Sequence, residues 1–157
     1  MLRTASNRWV LIGLAAGWAV LLAAPRAAAQ DRSVTVIAIL ATDKNNRVDD
    51  KLKSIADEVK KVEPTLTGFR IAHQSSKALN VGQREVFALV DREEASVTLV
   101  EVCPKDDNRY RLTVKAPMVG EITYSCCCSK FFPILTRYQT KNGERLILAV
   151  MVKPSKK

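Results

Sequence analysis

Two hydrophobic patterns occupy the chain between residues 33 and 62. Residues 33–42 read SVTVIAILAT, an uninterrupted run rich in valine and isoleucine that is typical of a strand covered on both faces. After a polar stretch at 43–47, apolar residues recur at spacings of three and four, with charged residues between them. This spacing predicts an amphipathic helix near 47–62, which Pro64 ends. Its apolar stripe consists of Val48, Leu52, Ile55, Ala56, Val59 and Val62.

From residue 67 onward the hydrophobic pattern repeats every second residue. Tyr110, Leu112 and Val114 alternate with charged or polar residues, which is typical of a strand with one buried face. Turn-forming residues separate such segments, as at 104–108, and Asn142-Gly143 predicts a tight hairpin because both residues tolerate positive φ. The segments predicted as strands are 67–73, 76–81, 84–90, 95–103, 109–116, 120–128, 131–139 and 144–152.

The closely spaced turns imply sequential antiparallel pairing of these strands, which is a β-meander. The last segment, 144–152, is apolar on both faces and is therefore predicted to be central or fully covered. One helix cannot cover both faces of so large a flat sheet, so the sheet has to fold on itself. We therefore expect an α+β fold. It has an N-terminal strand, one amphipathic helix and an antiparallel meander that curls into a sandwich or a partly open barrel.

The first 29 residues are typical of an export signal. Arg3 and Arg8 give this segment a positively charged start, and residues 9–24 carry no charge. Ala27-Ala28-Ala29 matches the small-residue pattern at which such signals are cleaved. The uncharged stretch is short for a membrane span, which needs about 20 apolar residues. The sequence thus predicts a signal peptide at 1–29 and a single β-rich domain at 30–157, periplasmic or secreted. An uncleaved signal is the only membrane attachment that we expect.

Charge and composition argue against several classes of protein. The chain has 25 Lys and Arg against 16 Asp and Glu, and removal of the three arginines of the signal leaves a net charge of +6. This charge is dispersed among acidic residues, unlike the concentrated basic surface of a protein that binds nucleic acid. With 47% hydrophobic and 26% charged residues, the chain is also unlike a disordered segment, a collagen or a multi-span membrane protein.

The sequence offers no recognisable catalytic set. His73 is the only histidine, so no pair of histidines can hold a metal. The chain has no glycine-rich phosphate loop and no Gly-x-Ser-x-Gly motif. Its paired carboxylates, at 49–50, 93–94 and 106–107, stand at a helix start or in turns, where capping and turn formation explain them. We therefore expect a protein that is not an enzyme and that uses neither a metal nor a cofactor.

Four cysteines, Cys103, Cys126, Cys127 and Cys128, are the unusual feature of the chain. On a strand, Cys126 and Cys128 point to one face and Cys127 to the other. A meander brings Cys103 and Cys128 to one end of the sheet but about 9–10 Å apart, whereas a disulfide needs Cα atoms within about 7 Å. Three interpretations stay open: a structural disulfide beside free thiols, a soft-metal thiolate site, and redox or intermolecular disulfide chemistry.

Phe131 and Phe132 follow the cysteines and precede Pro133. Because side chains alternate along a strand, the two rings face opposite sides, and both are buried only if both faces are covered. An exposed phenylalanine at this place is a candidate contact for a protein partner, and ordinary packing is the alternative interpretation.

The order of several segments carries a resemblance to known proteins. A valine-rich strand is followed by the helix at 47–62, LTGF at 66–69, KFFPI at 130–134 and LILAV at 146–150. This order resembles small exported bacterial proteins of unknown function, which have a signal peptide followed by one β-rich domain. The resemblance covers the whole chain after the signal. It implies a fold and export, but no activity, cofactor or site residue.

Together these patterns favour an exported, non-catalytic domain that binds or supports an envelope or extracellular partner. The alternative is a thiol-based metal-binding or redox protein that uses Cys103 and the triplet at 126–128. In the first case the partner is a protein or another component of the cell envelope, and nucleic acid is not expected.

Overall fold

The structure is a computed structural model that describes residues 32–103 and 109–154. The predicted signal peptide at 1–29 and the predicted turn at 104–108 lie outside these residues. The described chain is mostly β-strand, with one short helix, α1 (Lys53–Val62), and a 3₁₀ turn at Asp50–Leu52. The strands are β1 (Arg32–Thr42), β2 (Gly68–Leu79), β3 (Arg84–Ala88), β4 (Glu94–Val102), β5 (Arg109–Ala116), β6 (Gly120–Cys127), β7 (Phe132–Gln139) and β8 (Arg145–Pro154).

The strands form two antiparallel sheets of four. The first sheet has the order β2-β1-β8-β7, and the second sheet has the order β3-β4-β5-β6. In the first sheet β1 pairs along its length with β2 on one side and along nearly all of it with β8 on the other. The first sheet therefore joins strands from both ends of the described chain, and the second sheet is built from four consecutive strands.

The inner faces of the two sheets share one hydrophobic cluster, here called the inner core. β1 and β8 contribute Val36 and Leu148 among others, and β4 and β5 contribute Val97 and Leu112, all 2% exposed or less. Full burial of a side chain of this size stabilises the folded state by roughly 1.5–3 kcal/mol. The two sheets therefore pack against each other because each has one continuous apolar face.

A second cluster, here called the outer core, lies on the opposite face of the first sheet. The alternate residues of β1 and β8, such as Ile39 and Ile147, there contact Ile55 and Val59 of α1. β1 and β8 are therefore buried on both faces, which confirms the interpretation of their continuous apolar runs. β8 lies between β1 and β7, as its pattern predicts.

The helix begins later than its periodicity predicts. Residues 47–49 run beside β2, where the Asp49 amide donates to the carbonyl oxygen of Phe69 at 3.0 Å and the Asp49 carboxylate accepts from the Ile71 amide at 2.8 Å. These bonds hold the segment to the sheet, so helical structure starts only with the 3₁₀ turn. At the other end Val62, the last residue of the predicted stripe, is 71% exposed. No helix within 32–103 and 109–154 has the length and apolar character to cross a bilayer.

Two details of the predicted meander are wrong. The segments predicted at 67–73 and 76–81 form one strand, β2. Its polar residues are compatible with a strand because β2 lies at the edge of the first sheet, where the hydroxyl group of Ser76 is hydrogen bonded to that of Thr35 at 2.7 Å. Sequential pairing is confirmed from β3 to β6 and between β7 and β8, but not between β2 and β3 or between β6 and β7. At both of these points the chain crosses from one sheet to the other, which lets both apolar faces meet in the inner core.

A matched pair of substitutions on β4 tests which face of this strand is buried. Val97→Ala is expected to lower the free energy of unfolding by about 2 kcal/mol, because it removes buried methyl groups and leaves a cavity. Val100 is on the same strand but is 37% exposed, so Val100→Ala is the control, with an expected loss of about 0.5 kcal/mol or less. Urea denaturation measures both losses, and equal losses would contradict the assigned orientation of β4.

Candidate functional site

The cysteine triplet lies at the end of β6, an edge strand of the second sheet. Cys126 is 7% exposed and packs in the inner core, whereas Cys127 is exposed on the opposite face. Cys128 follows β6 and packs, partly buried, against the inner core. Ser129 then takes a φ of 61°, and its amide donates to the Val152 carbonyl oxygen at 2.9 Å. This bond directs the chain toward the first sheet.

Cys103 lies at the same end of the second sheet, directly after β4. Its amide donates to the Arg109 carbonyl oxygen at 2.9 Å, and Arg109 is the register partner of Cys127. Cys103 and the triplet therefore meet at one end of the sheet with β5 between them, as the meander predicts. All four cysteines are free thiols in the structure, so the structural disulfide, one of the three interpretations of the cluster, is not formed.

A buried tyrosine lies beside the inward-facing thiols. Tyr110 on β5 is the register partner of Cys126 and is 1% exposed. The guanidinium carbon of Arg32 lies 5.8 Å from the centroid of its ring, within cation–π range. Burial is the main factor raising the pKa of Tyr110, and the nearby Cys128 thiol raises it further. Tyr110 is therefore an uncharged side chain next to the thiols.

The edges of the two sheets meet in an aromatic stack. The rings of Tyr124 on β6 and Phe132 on β7 lie 4.1 Å apart between centroids, at an interplanar angle of 19°. The Tyr124 hydroxyl is buried without a hydrogen-bond partner among the described residues, and burial raises its pKa far above the usual range. Phe132 remains 38% exposed, so this stack closes the gap between the sheets only partly.

Phe131 and Phe132 point in opposite directions, as alternation along a strand predicts. Phe131 packs on the outer core, on the side of the first sheet that α1 covers. It also lines an open depression of about 320 Å³ together with Ser54, Glu58 and Lys130. Phe131, directly before β7, therefore contributes to the outer core, and Phe132, the first residue of β7, contributes to the aromatic stack.

The environment of Cys126 suppresses thiol chemistry. Burial is the main factor that raises the pKa of its thiol to about 11, and the thiols of Cys127, Cys128 and Cys103 act in the same direction. At neutral pH Cys126 is therefore a neutral thiol, whereas the thiolate is the nucleophile and the metal ligand. In the part of the chain that the structure describes, no three His, Cys, Asp or Glu side chains are grouped so that they could hold a metal ion.

His73 lies away from the cysteines, exposed on β2. It lines an open depression of about 550 Å³ that also includes Asp91 and Glu144. The Arg70 guanidinium donates two hydrogen bonds to the Glu144 carboxylate, from Nε at 2.8 Å and from Nη2 at 2.7 Å. This bidentate bond lowers the pKa of Glu144. Asp91 accepts a hydrogen bond from the Tyr138 hydroxyl at 3.1 Å. Both carboxylates beside His73 therefore already have other partners.

The role of Tyr124 was not predicted from the sequence. Ile122, Tyr124 and Cys126 alternate with polar residues along β6, which was enough to place the tyrosine on the same face as the inward thiol. Its stacking on Phe132 depends on how two different sheets approach each other, and no local pattern contains that information.

Comparison of the chain with protein-family models, with curated proteins and with solved structures found no match.

The two faces of β6 are expected to differ in their reactivity toward iodoacetamide. At pH 8 in the folded protein, the alkylation rate of Cys127 should exceed that of Cys126 by a factor of about ten or more, because Cys126 is buried and protonated. Peptide mass spectrometry over a time course measures both rates. In urea the two rates should become similar, which is the control. Equal rates in the folded protein would show that the orientation of β6 is wrong.

Proposed function

We propose that this chain is an exported, non-catalytic domain, folded as a β-sandwich, that binds an envelope or extracellular macromolecule through the outer face of its second sheet. The export signal predicted at 1–29 supports a periplasmic or secreted location. The observation that carries the proposal is an asymmetry: the central strands of the first sheet, β1 and β8, are buried on both faces, whereas the second sheet is covered on one face only.

The uncovered face is made of alternate residues of β3 to β6. On the first sheet the corresponding face is closed by α1, whose Ile55, Ala56 and Val59 are 2% exposed or less. On the second sheet this face is exposed at Val86 and Val100, which are 45% and 37% exposed. Its other exposed residues are Arg84, Ala88, Glu94, Arg109, Arg111, Lys115, Glu121, Thr123, Ser125 and Cys127.

The outer face of the second sheet presents hydroxyl groups in a regular row. Thr98, Thr113 and Thr123 are successive register partners across β4, β5 and β6. The hydroxyls of Thr113 and Thr123 are 2.8 Å apart, and Arg84 donates to the hydroxyl of Ser96 at 2.7 Å. Because these groups lie on paired strands, a partner can bind them with little further ordering of the backbone.

A depression of about 480 Å³ lies at one end of the same face. It is lined by the aliphatic side chains of Val86 and Met118 and by the charged side chains of Arg84, Glu94 and Lys115. Met118 is 67% exposed. Protein interfaces combine apolar and charged side chains in this way, which supports binding at this end of the face.

The thiol-based alternative has less support. Cys126 is buried as a neutral thiol, and the described residues contain no group of side chains suited to a metal. An enzymatic role has little support as well, because the carboxylates beside His73 are bound to Arg70 and Tyr138.

Site-specific photo-crosslinking tests the proposed surface. A benzophenone amino acid in place of Lys115, on the outer face of the second sheet, is expected to give a crosslinked product with another macromolecule when envelope material is irradiated. The matched control carries the same residue in place of Asp57, an exposed position on α1. Mass spectrometry of the product separates a foreign partner from a second copy of this chain. Products of equal yield at both positions, or none at 115, would contradict the proposal.

A further inference from the structure

The two sheets have four edge strands, and three of them are protected. β3 has only five residues, and Lys77 of β2 reaches across to it, donating to the Val86 carbonyl oxygen at 2.6 Å and pairing with Glu85 at 3.2 Å. β2 itself contains a register shift opposite Ala38. β7 contains Pro133 and a register shift. Short strands, lysine, proline and bulges are the features that prevent an edge from pairing with another strand.

β6 has none of these features. It pairs with β5 over eight residues from Gly120 to Cys127 without a register shift, and its sequence, GEITYSCC, contains no proline, lysine or arginine. Between Gly120 and Cys126, no described residue outside β5 is hydrogen bonded to its main chain. β6 therefore presents a regular row of unsatisfied backbone donors and acceptors at the edge of the second sheet.

We propose that β6 pairs with β6 of a second copy of this chain, antiparallel about a two-fold axis, so that the two second sheets become one sheet of eight strands. An isologous interface of this kind requires a self-complementary surface. β6 fulfils this requirement because its two faces differ in polarity along the strand. Ile122, Tyr124 and Cys126 pack inward against the inner core, whereas the outer face carries polar residues. A register centred on Thr123 or Tyr124 matches inner with inner and outer with outer residues over nearly the whole strand.

Charge and apolar surface at this edge favour the same partner. Glu121, at one end of β6, has Lys115 as its register partner, and Arg109 is the register partner of Cys127 at the other end. Because this edge carries charges of both signs, a second copy meets no concentration of like charge. Phe132, which is 38% exposed where it stacks on Tyr124, gains cover from the second copy. This inference concerns the main-chain edge of β6, which shares only the outward side chains of that strand with the outer face proposed for the partner, and it does not depend on that proposal.

Analytical ultracentrifugation of residues 30–157 in a reducing buffer tests the dimer. The wild-type chain is expected to sediment as a dimer, and the reductant removes any dimer that depends on a bond between Cys127 residues. The double variant Thr123→Lys with Ser125→Lys places four like charges around the two-fold axis. Its dimer dissociation constant is expected to rise about tenfold or more.

The matched control is Thr98→Lys with Thr113→Lys, which adds the same charge to the same face on central strands. Both double variants disrupt the hydroxyl pair of Thr113 and Thr123. The control is expected to stay dimeric, and circular dichroism checks that both variants are folded. A monomeric wild-type chain, a dimer in the edge variant, or equal dissociation of both variants would overturn the proposal. Capture at β6 of a strand from a different protein by a monomeric chain would overturn it as well.

Discussion

The structure depends on one pair of strands that serves two cores. β1 and β8 pair with each other along nearly their whole length, and their side chains alternate between the inner core and the outer core. The second sheet packs on one side of this pair and α1 on the other. A charged residue on either face at the centre of β1 or β8 would enter a core, which explains why residues 36–41 and 146–152 are apolar without interruption.

The same arrangement determines which surfaces remain available. The helix covers the first sheet, and no comparable element of the described chain covers the second sheet, whose outer face keeps hydroxyl and charged groups. The chain leaves the second sheet at Ser129, so β6 becomes an edge strand. The neutral state of Cys126 follows from this position as well, because the inward face of β6 belongs to the inner core. The fold, the uncovered outer face of the second sheet and the neutral state of Cys126 therefore have one physical origin.

The sequence was sufficient for features that a local pattern determines. The continuous apolar runs identified β1 and β8 as covered strands, and alternation placed Cys126 and Cys127 on opposite faces. The fusion of two predicted segments into β2 was not predictable, because polar residues such as Ser76 resemble a turn when their exposed edge position is unknown. The crossings after β2 and β6, and the stack of Tyr124 on Phe132, depend on contacts between distant segments. The surfaces proposed for binding depend on contacts between distant segments as well, because a surface stays exposed only where no other part of the fold packs on it.

Native-state hydrogen exchange tests the central role of the β1–β8 pair most directly. We expect the amides at the centre of this pair, around Val36 and its register partner Val150, to exchange only through global unfolding. Their exchange free energy should equal the free energy of unfolding measured with denaturant, and amides of the short edge strand β3 should exchange through smaller openings. Exchange of the Val36 and Val150 amides at a free energy well below that of global unfolding, while the second sheet stays protected, would contradict the claim that both cores depend on this pair.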